Sequence, residues 1–387
     1  MHREITGRYV SSSVGGETVN AFVPNPLPPV PPLELSGARQ HLLERATLAI
    51  GRLDSVSTLL PDPQLFLYAY MRREAVLSSQ IEGTQSSLSD LLLFELEEMP
   101  GVPFDDVVKV SNYVTALEHG MTRLRSGSPL CSRLLREMHS LLMSRGRGSE
   151  KLSGEFRRSQ NWIGGTRPGN AHFVPPPPQE VESCMGMLEQ FFNQTGGTAP
   201  VLIKAALAHV QFETIHPFLD GNGRLGRLLI AMLLYQGGLL AQPLLYVSLY
   251  FKQRRSLYYE LLDKARAQGD WEAWVDFFLG GVAETAQGAV QTAQRLLALF
   301  QQDSQRIQAT GRGAANALRV LNALRGHPVS SLKLLCTETG MSFPTVAKLM
   351  QTLIQFGVAR ELTGQRRNRI FVYDGYLNIL NEGSEVL

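Results

Sequence analysis

Apolar residues recur three and four apart over most of this chain, the period of a helix with one buried face. From Ser36 to about Leu60, Leu42, Leu43, Ala46, Ala49, Ile50 and Leu53 share such a stripe. A second helix opens at Asp62, a capping residue, with Pro63 in its first turn. It carries Leu65, Phe66, Ala69, Tyr70, Ala75, Val76 and Leu77 and ends at Gly83, in the place of a C′ glycine. Ser87-x-x-Asp90 has the form of a capping box and predicts a helix through about Glu98. Further helices are predicted over 103–125 and 129–145. A nearly all-apolar helix over 199–214 follows, preceded by Thr198 and Pro200, and a buried one runs through Leu228–Leu234.

The pattern breaks in two places. Residues 1–35 hold Pro24, Pro26, Pro28, Pro29, Pro31 and Pro32, which deny them a helix and favour an extended arm. Over 148–178, Asn161–Ile163 and Ala171–Val174 read as short strands around a turn near 166–170, a β-hairpin. After Ala283 the composition shifts to Gln, Ala and Leu, and a long helix runs to about Thr310. Beyond Gly311-Arg-Gly313 come helices over 315–324, 331–339 and 343–356. Strands over 358–361 and 369–373 follow, joined at Thr363-Gly-Gln365. Helix, helix-turn-helix, hairpin is the order of a small winged-helix domain. The fold expected is mainly α, a helical bundle with a β-hairpin flap. Its parts are 1–100 (arm and helical region), 101–285 (core) and 286–387 (linker helix and winged helix).

Composition narrows the class. The 387 residues are 44% hydrophobic and 19% charged, with a net charge of +2, as in an ordinary globular protein of two to three domains. Cys131, Cys184 and Cys336 are odd in number and scattered, which suits neither a disulfide framework nor a zinc cluster. The first twenty residues lack the apolar core of a signal peptide, and no run is long enough to span a membrane. A cytoplasmic protein is expected. Charge is uneven: residues 311–370 hold nine Lys/Arg against Glu338 and Glu361, a net of +7, with Arg366, Arg367 and Arg369 on or near the wing. That is the footprint of nucleic-acid binding, although winged helices also dock proteins.

The chemistry concentrates in His216-Pro-Phe-Leu-Asp-Gly-Asn-Gly-Arg-Leu-Gly-Arg227. Gly221-Asn222-Gly223 turns the chain into the buried helix. The amides of a helix start, with glycines that let an anion come close, form a ready phosphate site. Arg224 and Arg227, three apart, share one face of its first turns. Asp220 is placed to hold a hard cation such as Mg²⁺ against phosphate oxygens, and His216 is the group able to accept a proton near neutral pH. Gly221-x-Gly223-x-x-Gly226 matches a dinucleotide fingerprint literally, but Pro217 breaks the strand it requires and no acid lies near Gln242–Tyr246. His209, Glu213 and His216 lack the spacing of a zinc helix. His139 reads as a structural histidine.

Matched at every defining position, the segment His216–Arg227 resembles the signature of Fic-domain proteins. The resemblance implies transfer of AMP from ATP to a hydroxyl side chain (Ser, Thr or Tyr) of a protein, the chain itself included, and removal of AMP at the same site. It makes His216 the general base and Asp220 the Mg²⁺ ligand. Gly221, Asn222, Gly223, Arg224, Leu225, Gly226 and Arg227 become the ATP-binding turn and helix start, with Arg227 nearest the γ-phosphate. Ser78-Ser-Gln-Ile-Glu82-Gly83 resembles the family's inhibitory motif, implying that Glu82 pairs with Arg227 while Ser78 positions the helix. The hairpin resembles the flap on which a target segment docks by adding a strand. Gln253 stands where relatives carry an Asn near the nucleotide, and Tyr258 and Tyr259 follow it. Self-association that relieves inhibition, as a homodimer, is a further implication. The reading from a different class is a DNA-binding transcriptional regulator whose Fic domain senses a nucleotide.

Overall fold

The structure, a computed structural model, describes residues 3, 6–59, 63–96, 104–146, 150–194, 199–309, 311, 313–365 and 367–384. Asp62, Thr198 and Arg366, named above as caps and as a wing arginine, lie outside them. Among the described residues no helix is long and apolar enough to cross a membrane.

The chain begins with a hairpin that its prolines hid. Strands β1 (Gly7–Val14) and β2 (Glu17–Pro24) pair antiparallel from Gly7↔Pro24 to Val14↔Glu17. Gly15 and Gly16 both have positive φ, as a two-residue type I′ turn requires. The Pro-rich residues behind it stay extended and lie across the core, with Leu27, Leu33 and Leu35 packed against it. Arg3 pins this arm through Glu272 and the carbonyls of Pro31 and Pro32.

Helices α1 (Ala38–Leu59), α2 (Pro63–Ile81), α3 (Leu88–Glu95), α4 (Phe104–Arg125) and α5 (Ser132–Leu142) follow. The capping box of α3 forms as expected: the Asp90 amide donates to Ser87 Oγ and the Ser87 amide to Asp90. After the flap come α6 (Pro178–Asn193), α7 (Val201–Ile215), α8 (Asn222–Gln236), α9 (Ser248–Gln253), α10 (Arg255–Gln268) and α11 (Trp271–Gln308). Helices α7 and α8 are buried on nearly every face and pack on each other at the centre, with α4 and α5 on one side and α10 and α11 on the other. Trp274 of α11 is fully buried, and its indole N–H donates to the Ala206 carbonyl of α7 at 2.8 Å.

The flap is slighter than a hairpin. Its strand pairing is one bridge, Ile163↔Phe173, around a 3-10 turn at Pro168–Asn170. Gly164 and Gly165 take positive φ and the intervening residues bond to Asn170, so the chain reverses without a ladder. What holds it instead is the N-terminal hairpin: Phe22 of β2 donates to Val174 O at 2.9 Å, and Glu17 binds Arg167 and the Gly169 amide.

The long helix starts at Trp271, a dozen residues earlier than the composition shift predicts. Gly280-Gly281 is no break: a Cβ on Gly281 would stand 2.7 Å from the Tyr250 ring, so the glycine makes room for α9. The expected boundary at 285/286 falls inside this helix. Its first half belongs to the large helical bundle, and its second half carries the C-terminal module. There α12 (Ala314–Gly326), α13 (Leu332–Thr339) and α14 (Phe343–Gln355) pack with β3 (Val329–Ser331), β4 (Arg360–Glu361) and β5 (Ile370–Val372) in the order β3-β5-β4, before α15 (Asp374–Asn381). The wing arginines are partly neutralised, Arg369 by Glu361 at 2.6 Å and Arg360 by Asp374 at 2.8 Å.

Because Trp274 fills the space behind α7, Trp274→Ala should lower the unfolding free energy by roughly 3–5 kcal/mol. Urea denaturation of the purified variant measures it, and a loss below about 1 kcal/mol would show that α11 does not brace α7.

Candidate active site

Helix α7 ends at Ile215 because His216 turns left-handed, φ +48°, a rare conformation for a residue with a side chain. Three residues hold that turn. Arg157, fully buried, donates from Nε to His216 O (2.9 Å) and from Nη2 to Pro176 O (2.5 Å) and Ile215 O (3.4 Å). Asn161 Nδ2 donates to Phe218 O (3.0 Å). Asn222 closes the loop from the far side, accepting from the Phe218 amide and donating to its carbonyl at 2.9 and 2.8 Å. Its side chain is therefore a brace, and only its backbone faces the cleft. Gly221, φ +76°, then opens α8.

The imidazole of His216 is neutral at physiological pH. Burial lowers its pKa to about 3, and the nearby Arg266 and Arg157 push the same way. A neutral ring beside a helix start can take a proton. His139 is structural, as expected, but it is part of the scaffold of this loop. It stacks on Phe218 at 3.8 Å between ring centres. Its Nδ1 accepts from the Gly154 amide, so its Nε2 carries the proton and donates to Asp220 O at 3.0 Å. Burial lowers it to about 4, which keeps that tautomer neutral.

Asp220 has one oxygen on the Gly221 amide (2.7 Å) and the other 3.3 Å from Lys151 Nζ. Burial raises its pKa, but Arg224, the Gly221 amide and Lys151 outweigh that, so the carboxyl is held below its ordinary value. It is an ionised, half-buried carboxylate with a cation already drawn to it. Mg²⁺ is commonly bound through one or two carboxylates plus phosphate oxygens, so this residue fits that ion.

Glu82 follows the last residue of α2, ahead of Gly83 at φ +94°. Its Oε1 accepts from Arg227 Nη2 at 2.8 Å, and its Oε2 accepts from Arg224 Nε at 3.0 Å. The sequence motif implied the first contact, and the second joins both arginines to one carboxylate. Arg227 also donates from Nε to Ser78 Oγ (2.8 Å) and from Nη2 to Ser78 O (2.9 Å), the positioning contact expected of Ser78. Burial alone would lower the Arg227 pKa, but Glu82 foremost, with Tyr258, Tyr259 and Glu213, more than reverses it, so the guanidinium stays charged. A Cβ on Gly223 would sit 2.5 Å from Glu82 Oε1. The carboxylate thus lies against the first turn of α8, where a phosphate would find its amides.

His216, Asp220, Gly221, Asn222, Gly223, Arg227 and Glu82 line one cleft of about 550 Å³. Ser78 and Arg224 join it through their bonds to Arg227 and Glu82. Leu225, Gly226 and Gln253 stand apart from it. Leu225 is fully buried, and a Cβ on Gly226 would meet Glu213 Oε1 at 2.3 Å, so both serve the α7–α8 contact. Gln253 is exposed and borders a different cavity, behind α2. Tyr258 and Tyr259 both line the active cleft, Tyr259 half-exposed and Tyr258 almost wholly buried and bonded to His209 at 2.9 Å. The other nitrogen of His209 faces Gly226 O at 2.9 Å, so neither is directed at a metal.

Arg157, Asn161 and Arg266 are the residues whose roles the sequence alone did not assign. Arg266 is buried in the wall of the cleft, bonds Thr214 and Asp263, and lies 4.3 Å from the centre of the Phe173 ring on the flap. His172 bonds Asp263 at 2.6 Å, so the flap is tied to α10 at two points.

Residues 40–122 match the model of the Fic/DOC family N-terminal domain, 129–234 that of the Fic/DOC family, and 313–362 that of the IclR helix-turn-helix domain. The protein adenylyltransferase Fic of Drosophila grimshawi is 40% identical over 126 residues, 32% of this chain and 23% of that protein. That of Drosophila melanogaster is 38% identical over 125 residues, again 32% and 23%. The chain thus spans about a quarter of the length of these curated relatives. In fold, it is similar to a Fic family protein from Desulfovibrio desulfuricans G20, with a TM-score of 0.58 and 22% identity, covering 89% of this chain and 98% of that one. Fic-1 from C. elegans gives 0.52 and 21%, covering 67% and 73%. The signature sits at the junction of two buried helices, inside the stretch 129–234 that matches the Fic/DOC family model, so residues 40–234 carry the likeness to the N-terminal and Fic domains of that family.

Proposed function

We propose that the chain is a protein adenylyltransferase, held inactive by its own Glu82. The observation that carries this reading is the cleft itself: a neutral imidazole and an open helix start face each other, and a carboxylate of the chain occupies the arginine between them. The amides of Gly221–Gly223 and the positive end of α8 suit the α-phosphate of ATP. A target hydroxyl attacks that phosphorus, its proton passes to His216, and the bond to the β-phosphate oxygen breaks, releasing pyrophosphate. Mg²⁺ beside Asp220 would supply charge against the leaving phosphates. Arg227 suits the terminal phosphate, because a guanidinium binds carboxylate and phosphate through the same paired donors. Glu82 competes for those donors, and a nucleotide that loses the contest cannot seat its α-phosphate beside His216. The flap, tied to α10 and presenting Trp162 to the cleft, is the surface on which an extended target segment docks. The match to two Fic domains and to named adenylyltransferases supports AMP transfer. The target hydroxyl, self-modification and the inhibition belong to the same proposal, as does a cytoplasmic setting, which the three unpaired cysteines suit. The IclR-type match supports a second role for the C-terminal module, docking to DNA or protein.

Two substitutions test the site against each other. Glu82→Gly frees both arginines and should raise incorporation of labelled AMP from ATP at least about tenfold, a change of ~1.4 kcal/mol in barrier. An unchanged rate in that variant sinks the inhibitory reading. Adding His216→Ala to it should remove labelling by about 10²–10⁴-fold, the usual share of a general base. Labelling that persists assigns the proton to another group.

The partly buried ring also bears on pH dependence. His216 loses its function as base only when protonated, and its folded pKa lies at about 3, below the ordinary 6.5. In the Glu82→Gly chain the labelling rate should therefore show no loss with an apparent pKa near 6.5 as pH falls from about 8 to about 5. A histidine-like limb near 6.5 would mean that the ring is solvated rather than buried.

A further inference from the structure

The turn that follows Lys151 is both strained and pinned. Lys151 Nζ lies 3.3 Å from Asp220 Oδ2, at the edge of the catalytic cleft. The next residue, Leu152, takes a left-handed backbone, φ +48°. Among the described residues that carry a side chain, only His216 and Asn368 share that conformation. Leu152 is 41% exposed, so packing of its side chain does not offset the strain. Gly154, φ +80°, completes the turn, and a Cβ there would stand 3.1 Å from Arg136 O. Four bonds then fasten the turn to α5. Arg136 Nε donates to Gly154 O at 2.8 Å, and Arg136 Nη2 reaches Glu155 at 2.7 Å. Ser153 Oγ donates to Ser140 O at 3.1 Å, and the Gly154 amide to His139 Nδ1 at 2.9 Å. His139 holds Asp220 O through its other nitrogen at 3.0 Å. One buried ring thus spaces the Lys151 turn against the loop that carries Asp220. The two charged side chains are 46% and 38% exposed, and an ion pair so placed adds little stability. Stability therefore does not account for a strained turn anchored in this way.

We propose that Lys151 is a catalytic residue that passes from Asp220 onto the leaving pyrophosphate. This rests on the adenylyltransferase reading above and adds a residue to it. The Gly221 amide already takes Asp220 Oδ1, so Oδ2, the oxygen beside Lys151, is the one open to a metal ion. An ammonium displaced from that oxygen stays within a side-chain swing of the phosphates seated at the same place. Lysine suits the part, as a compact point charge on a flexible stem. In the transfer, the target oxygen bonds to the α-phosphorus and its proton goes to His216. The bond from that phosphorus to the bridging oxygen breaks, and the electron pair stays on the oxygen of pyrophosphate. The Lys151 ammonium donates a hydrogen bond to that developing charge and keeps its own proton, so it stabilises the leaving group without titrating.

The test separates the leaving phosphates from the α-phosphate. The full-length Glu82→Gly chain is titrated by calorimetry with pyrophosphate and with AMP, both without metal, and its incorporation of labelled AMP into lysate protein is followed with saturating Mg-ATP. Adding Lys151→Ala should weaken pyrophosphate at least about tenfold, leave AMP within about twofold, and slow labelling about tenfold. Lys151→Arg, which keeps the charge, should restore most of the pyrophosphate affinity and of the rate. Urea denaturation of Lys151→Ala should match its parent, because other bonds hold the turn. The proposal is overturned if Lys151→Ala leaves either pyrophosphate binding or the labelling rate unchanged. It is overturned too if AMP weakens as much as pyrophosphate, which would make Lys151 a general support of the site. A Glu82→Gly chain that binds neither ligand overturns the adenylyltransferase reading and this role with it, whereas binding that ignores Lys151→Ala overturns this role alone.

Discussion

Everything chemical in this protein depends on how α7 passes into α8 within six residues. Two buried antiparallel helices leave a carbonyl end and an amide end side by side, and both ends must be satisfied. Arg157 takes the carbonyls of Ile215 and His216, while Asn222 ties both backbone groups of Phe218. With the loop held from both ends, His216 can keep a left-handed backbone that would otherwise relax, and its ring stays beside the start of α8. The amides there have no helical acceptor, so a negative group is wanted at that place whatever the chain does next.

Glu82 answers that want from within. An isolated buried arginine is costly, and Arg227 is buried almost completely. Without an anion it would be the least stable element of the site. The chain therefore gains from lodging a carboxylate on it, and any nucleotide must offer phosphate oxygens good enough to replace the glutamate. On the proposed reading, inhibition and stability are the same contact seen from two sides. That link explains why Glu82 tolerates a position just beyond the negative end of α2, where its macrodipole disfavours a carboxylate.

How much of this can be read from the sequence follows from how far apart the partners are. His216 to Arg227 is one contiguous stretch, and its geometry follows from a glycine turn opening a helix, so the site was legible. Glu82 was legible through a motif and a helix ending, although its second partner, Arg224, was not. Arg157 was invisible because its acceptors are carbonyls some twenty to sixty residues away, and a carbonyl has no letter in the sequence. The N-terminal hairpin did carry a signal: Gly15-Gly16 stands between segments that hold Tyr9, Val10 and Val14 on one side and Val19, Phe22 and Val23 on the other, and the prolines from Pro24 on outweighed it. The early start of α11 was hidden differently, because the composition shift after Ala283 marks only its second half. Within its first half Gly281 admits the Tyr250 ring, a neighbour that spacing cannot show. The flap was legible as a reversal but not as a single bridge, because its support comes from β2 and α10 rather than from its own strands.

The helix that ends just before Glu82 is held by distant parts of the chain. Arg73 donates to Glu382 O, Gln80 to Ser384 O at 3.4 Å and to Ser86 O at 3.0 Å, and Lys252 reaches Gln80 at 2.8 Å. Arg255 caps its end through Ile81 O at 2.9 Å. Moving α2 as a body would break all of these together. Swinging Glu82 alone breaks only its two arginine contacts, and the swing starts beside Gly83, whose left-handed backbone ends the helix. If a phosphate takes up Arg227 as the carboxylate leaves, the guanidinium is never left bare, and most of the cost of breaking the pair is returned within the same site. If Glu82 inhibits as proposed, its relief is physically a side-chain exchange at the mouth of α8, with α2 as its fixed hinge post.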